Sequence, residues 1–70
     1  MKRKLLITKR VDMGLSQEQL GRAIGISKQM VSLIENARCG PSINVAFKLQ
    51  QFFGIPASEL LAESEERQQR

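Results

Sequence analysis

Histidine, tryptophan and tyrosine are absent from this sequence of 70 residues, and cysteine and aspartate each occur once. Cys39 has no histidine that could activate its thiol as a nucleophile, and no Cys/His cluster is available to bind zinc. Glu63, Glu65 and Glu66 stand in a polar segment that could not hold an active-site geometry. We therefore expect neither enzyme activity nor a cofactor. A lone cysteine cannot form an internal disulfide, which suits a reducing cytoplasm.

Long apolar runs are also missing. No stretch approaches the about 18 residues of a membrane-spanning helix. The basic N-terminus holds only three consecutive apolar residues, 5–7, which is too few for the core of a signal peptide. A chain of this length forms one small domain that buries roughly 60% of its unfolded surface. We expect a cytoplasmic protein with a thin margin of stability.

Charge is distributed unevenly along the chain. Residues 1–48 carry nine Lys/Arg and three Asp/Glu, a net charge of +6, whereas residues 49–70 carry a net charge of −2. This polarity favours a polyanion on one side of the molecule and a different partner on the other. Charge alone leaves the question open, because many helical domains without a nucleic-acid role are equally basic.

Apolar spacing predicts five helices and no strand, and therefore an all-α fold. We expect α1 over about residues 2–12, α2 over 17–24, α3 over 28–36, α4 over 43–53, and α5 opening at Pro56. Side chains expected to point inward are Leu6, Val11 and Met13 in α1 and Val45, Ala46, Leu49 and Phe53 in α4. Leu60 and Leu61 are expected to supply the apolar contact of α5.

The segment over residues 17–36 carries the most informative pattern. Ser16 with Gln19 three residues later is a capping box at the start of α2, and Ser27 is a cap for α3. Gly25 lies between the helices, where a left-handed residue turns the chain sharply. Apolar positions facing the core are Leu20, Ile24, Ile26, Val31 and Ile34, and the polar residues Lys28, Gln29 and Ser32 are left outward. This layout is typical of a DNA-binding helix-turn-helix, whose second helix enters the major groove.

From Arg10 to Leu60 the chain resembles the Xre/Cro-type helix-turn-helix family, which includes the repressors and Cro proteins of lambdoid phages. The matching pieces are GlyLeuSerGlnGlu (14–18), Leu20, IleGlyIleSer (24–27), Val31, IleGluAsn (34–36), ProSer (41–42), PheGlyIle (53–55) and Leu60. The pattern is specific, because helix caps, turn glycine and core positions all occur at the family spacing. The resemblance implies a compact five-helix, lambda-repressor-like domain over residues 1–62 that binds double-stranded operator DNA, usually as a dimer on a palindrome.

The resemblance also implies that the first turn of α3 meets base edges. Lys28 can donate to guanine O6/N7 and Gln29 can pair with adenine N6/N7, the alternative being ordinary solvated side chains. Ser32 lies one turn further along the same face and could reach a base or a phosphate. Leu33 either packs on a thymine methyl or lies at the edge of the core. Ser27 is a candidate DNA contact in addition to its capping role.

Phosphate contacts are expected on both sides of α3. Gln17 begins α2, where a backbone N–H and the helix dipole suit a phosphate, and in the resembled repressors a Gln here also braces the recognition helix. The expected contacts on the other side are Asn36, Arg38, Ser42, Ile43 and Asn44. Contacts of this kind position a protein on DNA without reading its sequence. The resemblance further implies an ion pair with limited solvent between Arg10 and Glu35, the alternative being two unrelated surface charges.

Three positions depart from the family pattern. Ala37 follows α3 where the family usually has glycine, so either Ala37 adopts a left-handed conformation or the helix continues and Gly40 turns the chain. Gly21 stands where alanine is commoner, at a cost of roughly 1 kcal/mol in helix propensity, although its small size lets α3 cross close to α2. Pro56 replaces a frequent Ser-like cap. These departures bear on stability more than on recognition.

Together the patterns predict a sequence-specific DNA-binding transcriptional regulator, in first place a repressor that occupies an operator as a homodimer. An antitoxin or a restriction-modification controller would use the same domain, with a toxin or antirepressor as protein partner. A coactivator-like protein-interaction module is an alternative of another class, against which the basic face argues. The expected dimer contacts are Phe52, Ile55, Leu60 and Leu61, and the polar tail over residues 63–70 is expected to fray.

Overall fold

The computed structural model describes residues 2–63, which form five helices and no strand. The helices are α1 (Lys4–Asp12), α2 (Gln17–Ile24), α3 (Lys28–Glu35), α4 (Ile43–Phe53) and α5 (Ala57–Leu60). This confirms the predicted all-α fold, with α1 beginning two residues later than expected and α3 ending one residue earlier. Within this part of the chain no helix is long and apolar enough to span a bilayer. The fraying expected over residues 63–70 concerns, apart from Glu63, residues that lie outside the described range.

Serine side chains begin three consecutive helices, α2, α3 and α4. Ser16 Oγ accepts from the Gln19 N–H at 3.0 Å, and Gln19 Oε1 accepts from the Ser16 N–H at 2.8 Å. Ser27 and Ser42 cap α3 and α4 in the same way, each accepting from the N–H of the third residue onward at 3.1 and 3.2 Å. Each cap contributes about 1 kcal/mol, so the serines place the helix starts where the sequence predicts them.

The core takes at least one side chain from every helix. Each fully buried aliphatic side chain stabilises the fold by about 1.5–3 kcal/mol. The buried apolar residues are Leu6, Leu20, Ile24, Val31, Ile34, Leu49 and Leu60. Val45 and Phe53 pack against this cluster at half burial, so the predicted inner face of α4 is confirmed for Val45, Leu49 and Phe53. Ala46, the fourth residue predicted there, is half-buried. The core thereby joins α2 and α3 to the remaining three helices as one unit.

Two residues expected inside α1 lie outside. Val11 and Met13 are more than half exposed. Val11 follows the buried Leu6 by five positions, which turns it roughly 140° away on a helix of 3.6 residues per turn. Met13 would share the face of Leu6 only if the helix continued, but α1 ends at Asp12 and Gly14 turns the chain at φ 72°. The prediction was wrong because it ignored the helical angle between Leu6 and Val11 and the end of α1 before Met13.

The apolar end of α4 and α5 is only partly exposed. Leu60 has no exposed surface, so its assignment as a dimer contact was wrong: the side chain completes the core instead. Phe52 is half-buried and packs edge-on against Phe53, with ring centroids 5.0 Å apart. Ile55 and Leu61 are also half-buried against the core.

Backbone conformation explains both departures near the helix-turn-helix. Gly25 turns the chain at φ 82° after α2. A Cβ on Gly21 would lie 2.5 Å from the carbonyl oxygen of Ile26, so the close approach of the turn to α2 requires glycine there. Ala37 adopts φ 57°, which selects the first of the two alternatives for the end of α3. Gly40 has no positive φ.

Candidate nucleic-acid interface

The first turn of α3 projects into solvent. Lys28 and Gln29 are exposed, while Val31 and Ile34 on the opposite side of the helix are buried. Ser27 is exposed as well, and because its Oγ accepts the capping bond, its hydroxyl proton remains available for donation. The start of α3 therefore presents two long polar side chains and one hydroxyl to solvent, while the opposite face of the helix is packed into the core.

Further along the same helix the polar face becomes less accessible. Ser32 is half-buried, and Leu33 is 40% exposed at the boundary between the outward face and the core. The Asn36 Nδ2 group donates to the Ser32 carbonyl at 2.9 Å and lies 3.5 Å from the Ser32 hydroxyl. The amide of Asn36 is thus turned back onto α3 and caps its last turn.

Glu35 is the centre of a buried polar network behind the recognition helix. Its carboxylate is 2% exposed and accepts from Arg10 Nε at 2.6 Å and from Arg10 Nη2 at 3.3 Å. Arg10 Nη1 also donates to the Leu15 carbonyl at 2.7 Å, so the guanidinium joins α1, the following loop and α3. The ion pair implied by the resemblance is present. A buried pair of this kind contributes more to orientation than to net stability.

Gln17 links the two helices of the motif. Its Nε2 group donates to Glu35 Oε1 at 3.0 Å, so the side chain braces α3. Its backbone N–H occupies the first position of α2, where no intrahelical acceptor exists. The side chain and the backbone of Gln17 therefore have separate tasks, one within the protein and one open to a phosphate.

The residues expected on the second side of the interface lie at the start of α4 and in the loop before it. Ser42 Oγ satisfies the Val45 N–H, which leaves the N–H groups of Ile43 and Asn44 at the positive end of an eleven-residue helix. Arg38 is exposed in the preceding loop. A guanidinium and a helix N-terminus offered by one loop suit an anionic oxygen.

Two arginines in or beside this region were missed from sequence. Arg22 lines a shallow surface groove together with Ser27, Lys28 and Gln29, and it pairs with Glu18 at 3.1 Å in full view of solvent. Arg3 is buried and bonded to the end of α3. The i, i+4 spacing of Glu18 and Arg22 could have predicted their ion pair from the sequence. Nothing in the run of basic residues at the N-terminus distinguishes Arg3 from its neighbours.

Comparison with known proteins gives a consistent result. A family profile described as helix-turn-helix matches residues 6–60. An uncharacterized HTH-type transcriptional regulator of Methanocaldococcus jannaschii is 37% identical over 46 residues, covering 66% of this chain and 70% of that protein. The transcriptional repressor RstR of the cryptic phage CTXphi, from Vibrio cholerae, is 34% identical over 56 residues, covering 80% of this chain and 50% of RstR. The uncharacterized HTH-type transcriptional regulator YgzD of Bacillus subtilis is 33% identical over 57 residues, covering 81% of this chain and 86% of YgzD. No solved structure gives a significant match.

The profile covers most of the chain and includes every buried apolar residue of the core, from Leu6 to Leu60. The match to RstR spans about half of that protein's length, whereas the YgzD match spans most of both chains. The same segment holds the caps, the Gly25 turn and the bracing of α3 by Gln17 and Glu35. The chain belongs to the Xre/Cro-type helix-turn-helix family, a family of DNA-binding transcriptional regulators.

Proposed function

We propose that this protein is a transcriptional repressor that binds a two-fold symmetric operator as a homodimer, with α3 in the major groove. The observation that carries the proposal is the exposure of Lys28 and Gln29 on the first turn of α3, a helix whose own Glu35 is held by Arg10 and Gln17. Rigid placement matters because a bidentate contact with a base edge tolerates little displacement.

Phosphate binding is assigned to the two sides of the recognition helix. The Gln17 N–H and the start of α4 each offer donors without an intrahelical acceptor at a helix N-terminus, and Arg38 adds an exposed positive charge in the loop before α4. Asn36 is assigned a lesser role, because its amide is already bonded to Ser32. Binding would release counterions, with a slope of about −0.9 in log K against log salt for each phosphate neutralised.

Repression is the regulatory outcome favoured here. RstR, which is 34% identical over 56 residues, is named as a phage transcriptional repressor. A domain of this size bound across a promoter needs no further activity to block transcription, since occupancy alone excludes the polymerase. Because repression needs only occupancy of the promoter, we favour it over activation.

A second copy is proposed because one recognition helix reads only a few base pairs, too few to select a site in a genome. Two copies would place their α3 helices about 34 Å apart on one side of the duplex. Phe52, Ile55 and Leu61, the remaining contacts expected from sequence, are half-buried and offer only part of their surface. Ile43 is 88% and Phe47 54% exposed, one turn apart on α4, and we assign the dimer contact to this apolar pair.

Selection of bound duplexes from a random DNA pool tests the proposal. Wild-type protein is expected to enrich a palindrome, and Gln29→Ala to lose preference at one position per half-site, with about 1–3 kcal/mol lost on the wild-type site. Gln51→Ala is the matched control, because Gln51 is an exposed glutamine on α4 and should leave the selected sequence unchanged. A Gln29→Ala protein that selected the wild-type sequence would show that α3 is not the reader. Absence of any enriched sequence would contradict the function itself.

A further inference from the structure

Arg3 precedes α1, yet its side chain runs into the protein and is buried, with 7% of the residue exposed. Its Nη1 group donates to the carbonyls of Ile34 at 2.7 Å and Cys39 at 3.0 Å, and its Nε group donates to the carbonyl of Leu61 at 3.0 Å. Its Nη2 group lies 3.3 Å from Glu63 Oε2. One guanidinium thus joins the end of α3, the loop after it and the segment that leaves α5.

The backbone of the same residue adds a further bond to α3. The Arg3 N–H donates to the carbonyl of Glu35 at 2.9 Å. Two consecutive carbonyls at the end of α3, those of residues 34 and 35, are therefore capped by Arg3. Carbonyls in the last turn of a helix lack intrahelical donors, and a cation there also meets the negative end of the helix dipole. The planar, five-donor guanidinium can serve carbonyls from separate segments at once, which an ammonium cannot do in the same geometry.

We propose that Arg3 is a positioning residue for the recognition helix, acting by locking the end of α3 to the segment that leaves α5. The inference rests on the proposed function, in that Lys28 and Gln29 read bases. These residues stand about 9 Å along the helix from the carbonyl that Arg3 holds. A tilt of about 10° at the fixed end would move the reading end by roughly 1.5 Å, which exceeds the tolerance of about 0.5 Å for a functional constellation.

The bonds of Arg3 complement those of Arg10. Arg10 holds the side chain of Glu35, whereas Arg3 holds the helix backbone, so the two arginines constrain α3 at different atoms. Arg10 ties α3 to α1 and to the loop that follows α1, and Arg3 ties it to the C-terminal end of the described chain. A displacement of the segment over residues 61–63 would consequently reach the recognition helix through one side chain.

The test compares Arg3→Met and Arg3→Lys with Lys4→Met, which removes the same charge from an exposed neighbour. Affinity is measured for the selected operator and for random duplex, at a temperature where circular dichroism shows each variant to be folded. Lys4→Met should weaken both affinities by similar factors and leave their ratio intact. Arg3→Met should lower the ratio about tenfold, the size of one lost base contact. Arg3→Lys, which keeps the charge but not the planar fork, should fall between them.

A measurement without DNA separates the inference from the function on which it rests. In Arg3→Lys the backbone amide resonances of Lys28 and Gln29 should shift, and the amides of residues 36–38 should exchange faster than in Lys4→Met. Unchanged amide signals in α3 together with a full specificity ratio would overturn the role of Arg3. If Arg3→Met does not fold, Arg3→Lys decides the matter alone. Wild-type protein that failed to discriminate between DNA sequences would instead contradict the proposed function. The amide measurements would then decide by themselves whether Arg3 positions α3.

Discussion

Gly21 is the residue at which local preference and tertiary packing conflict most directly. Alanine there would gain roughly 1 kcal/mol in helix propensity. However, the added Cβ would lie 2.5 Å from the Ile26 carbonyl oxygen and 3.3 Å from two backbone atoms of Ser27. Backbone cannot rotate away as a flexible side chain can, so α2 and the start of α3 would have to separate.

We predict that Gly21→Ala destabilises the protein by about 1–3 kcal/mol in urea unfolding, because the overpacking cost outweighs the gain in propensity. Gly40→Ala is the matched control. A Cβ added at Gly40 would meet nothing within 4 Å beyond its chain neighbours, and φ there is not positive, so this variant should be neutral or stabilising by up to about 1 kcal/mol. Equal stability of the Gly21→Ala protein and the wild type would show that the turn can relax.

The second prediction at the residue scale concerns Glu35. Truncation to alanine would leave the Arg10 guanidinium and the Gln17 amide without their acceptor in a site where the carboxylate is 2% exposed. We expect a loss of roughly 3–5 kcal/mol in free energy of unfolding. Glu18→Ala removes the acid of the exposed Glu18–Arg22 pair and should cost less than about 1 kcal/mol.

A companion variant distinguishes a buried charge pair from simple loss of packing. Replacing Arg10 with Met and Glu35 with Leu together should recover much of the loss in thermal unfolding, since no uncompensated charge remains. If the double variant were as unstable as Glu35→Ala, the network would be contributing net stability through its hydrogen bonds, contrary to this prediction.

At the scale of the element, the end of α3 combines a strained residue with several groups that cap its carbonyls. Ala37 adopts φ 57°, a conformation that costs an L-residue with a Cβ roughly 1–2 kcal/mol. Arg3, Asn36 and the N–H of Arg38 all bond to carbonyls of the last two turns and hold the chain in that turn. The packing around the helix end therefore over-determines a conformation that alanine alone would avoid.

We predict that Ala37→Gly stabilises the protein by about 0.5–1 kcal/mol, because glycine adopts positive φ without a steric penalty. Ala23→Gly is the control for the same chemical change at an exposed position in the last turn of α2, where the expected effect is a loss of up to about 1 kcal/mol. Chemical denaturation of the two variants should thus move the midpoint in opposite directions. A shift in the same direction would mean that the left-handed turn carries no strain.

At the scale of the whole molecule, exposed apolar surface and the proposed DNA-facing surface meet on α4. Its first N–H groups are assigned to a phosphate, while Ile43 and Phe47 expose apolar side chains on the same helix. A small domain has little surface to spare, so protein and DNA contacts that adjoin each other would make dimer formation depend on the operator. The dimer is accordingly expected to be weak in free solution and complete on DNA.

We predict that footprinting of the selected operator shows two protected half-sites about one helical turn apart. Phe47→Glu should reduce protection at low protein concentration and abolish cooperativity between half-sites, because like charges would oppose each other across the two-fold axis. Val11→Glu changes a side chain of similar exposure on α1 and should leave cooperativity intact. One chain bound to one half-site with full affinity would contradict the dimer proposal.

Local signals in the sequence determined the bounds of α2, α3 and α4, since the serine caps at positions 16, 27 and 42 and the glycines at 25 and 54 act within one turn of themselves. Periodicity identified the core positions of α2 and α3, and the family spacing anticipated that Arg10 meets Glu35. Only the tertiary structure decided the questions that depend on distant segments. Arg3 is buried because carbonyls from residues 34, 39 and 61 converge on it, although three basic residues in a row look equivalent in sequence. Leu60 lies in the core rather than on a dimer surface for the same reason. Its burial depends on side chains from distant segments that pack against it, and the residues next to it in sequence carry no information about them.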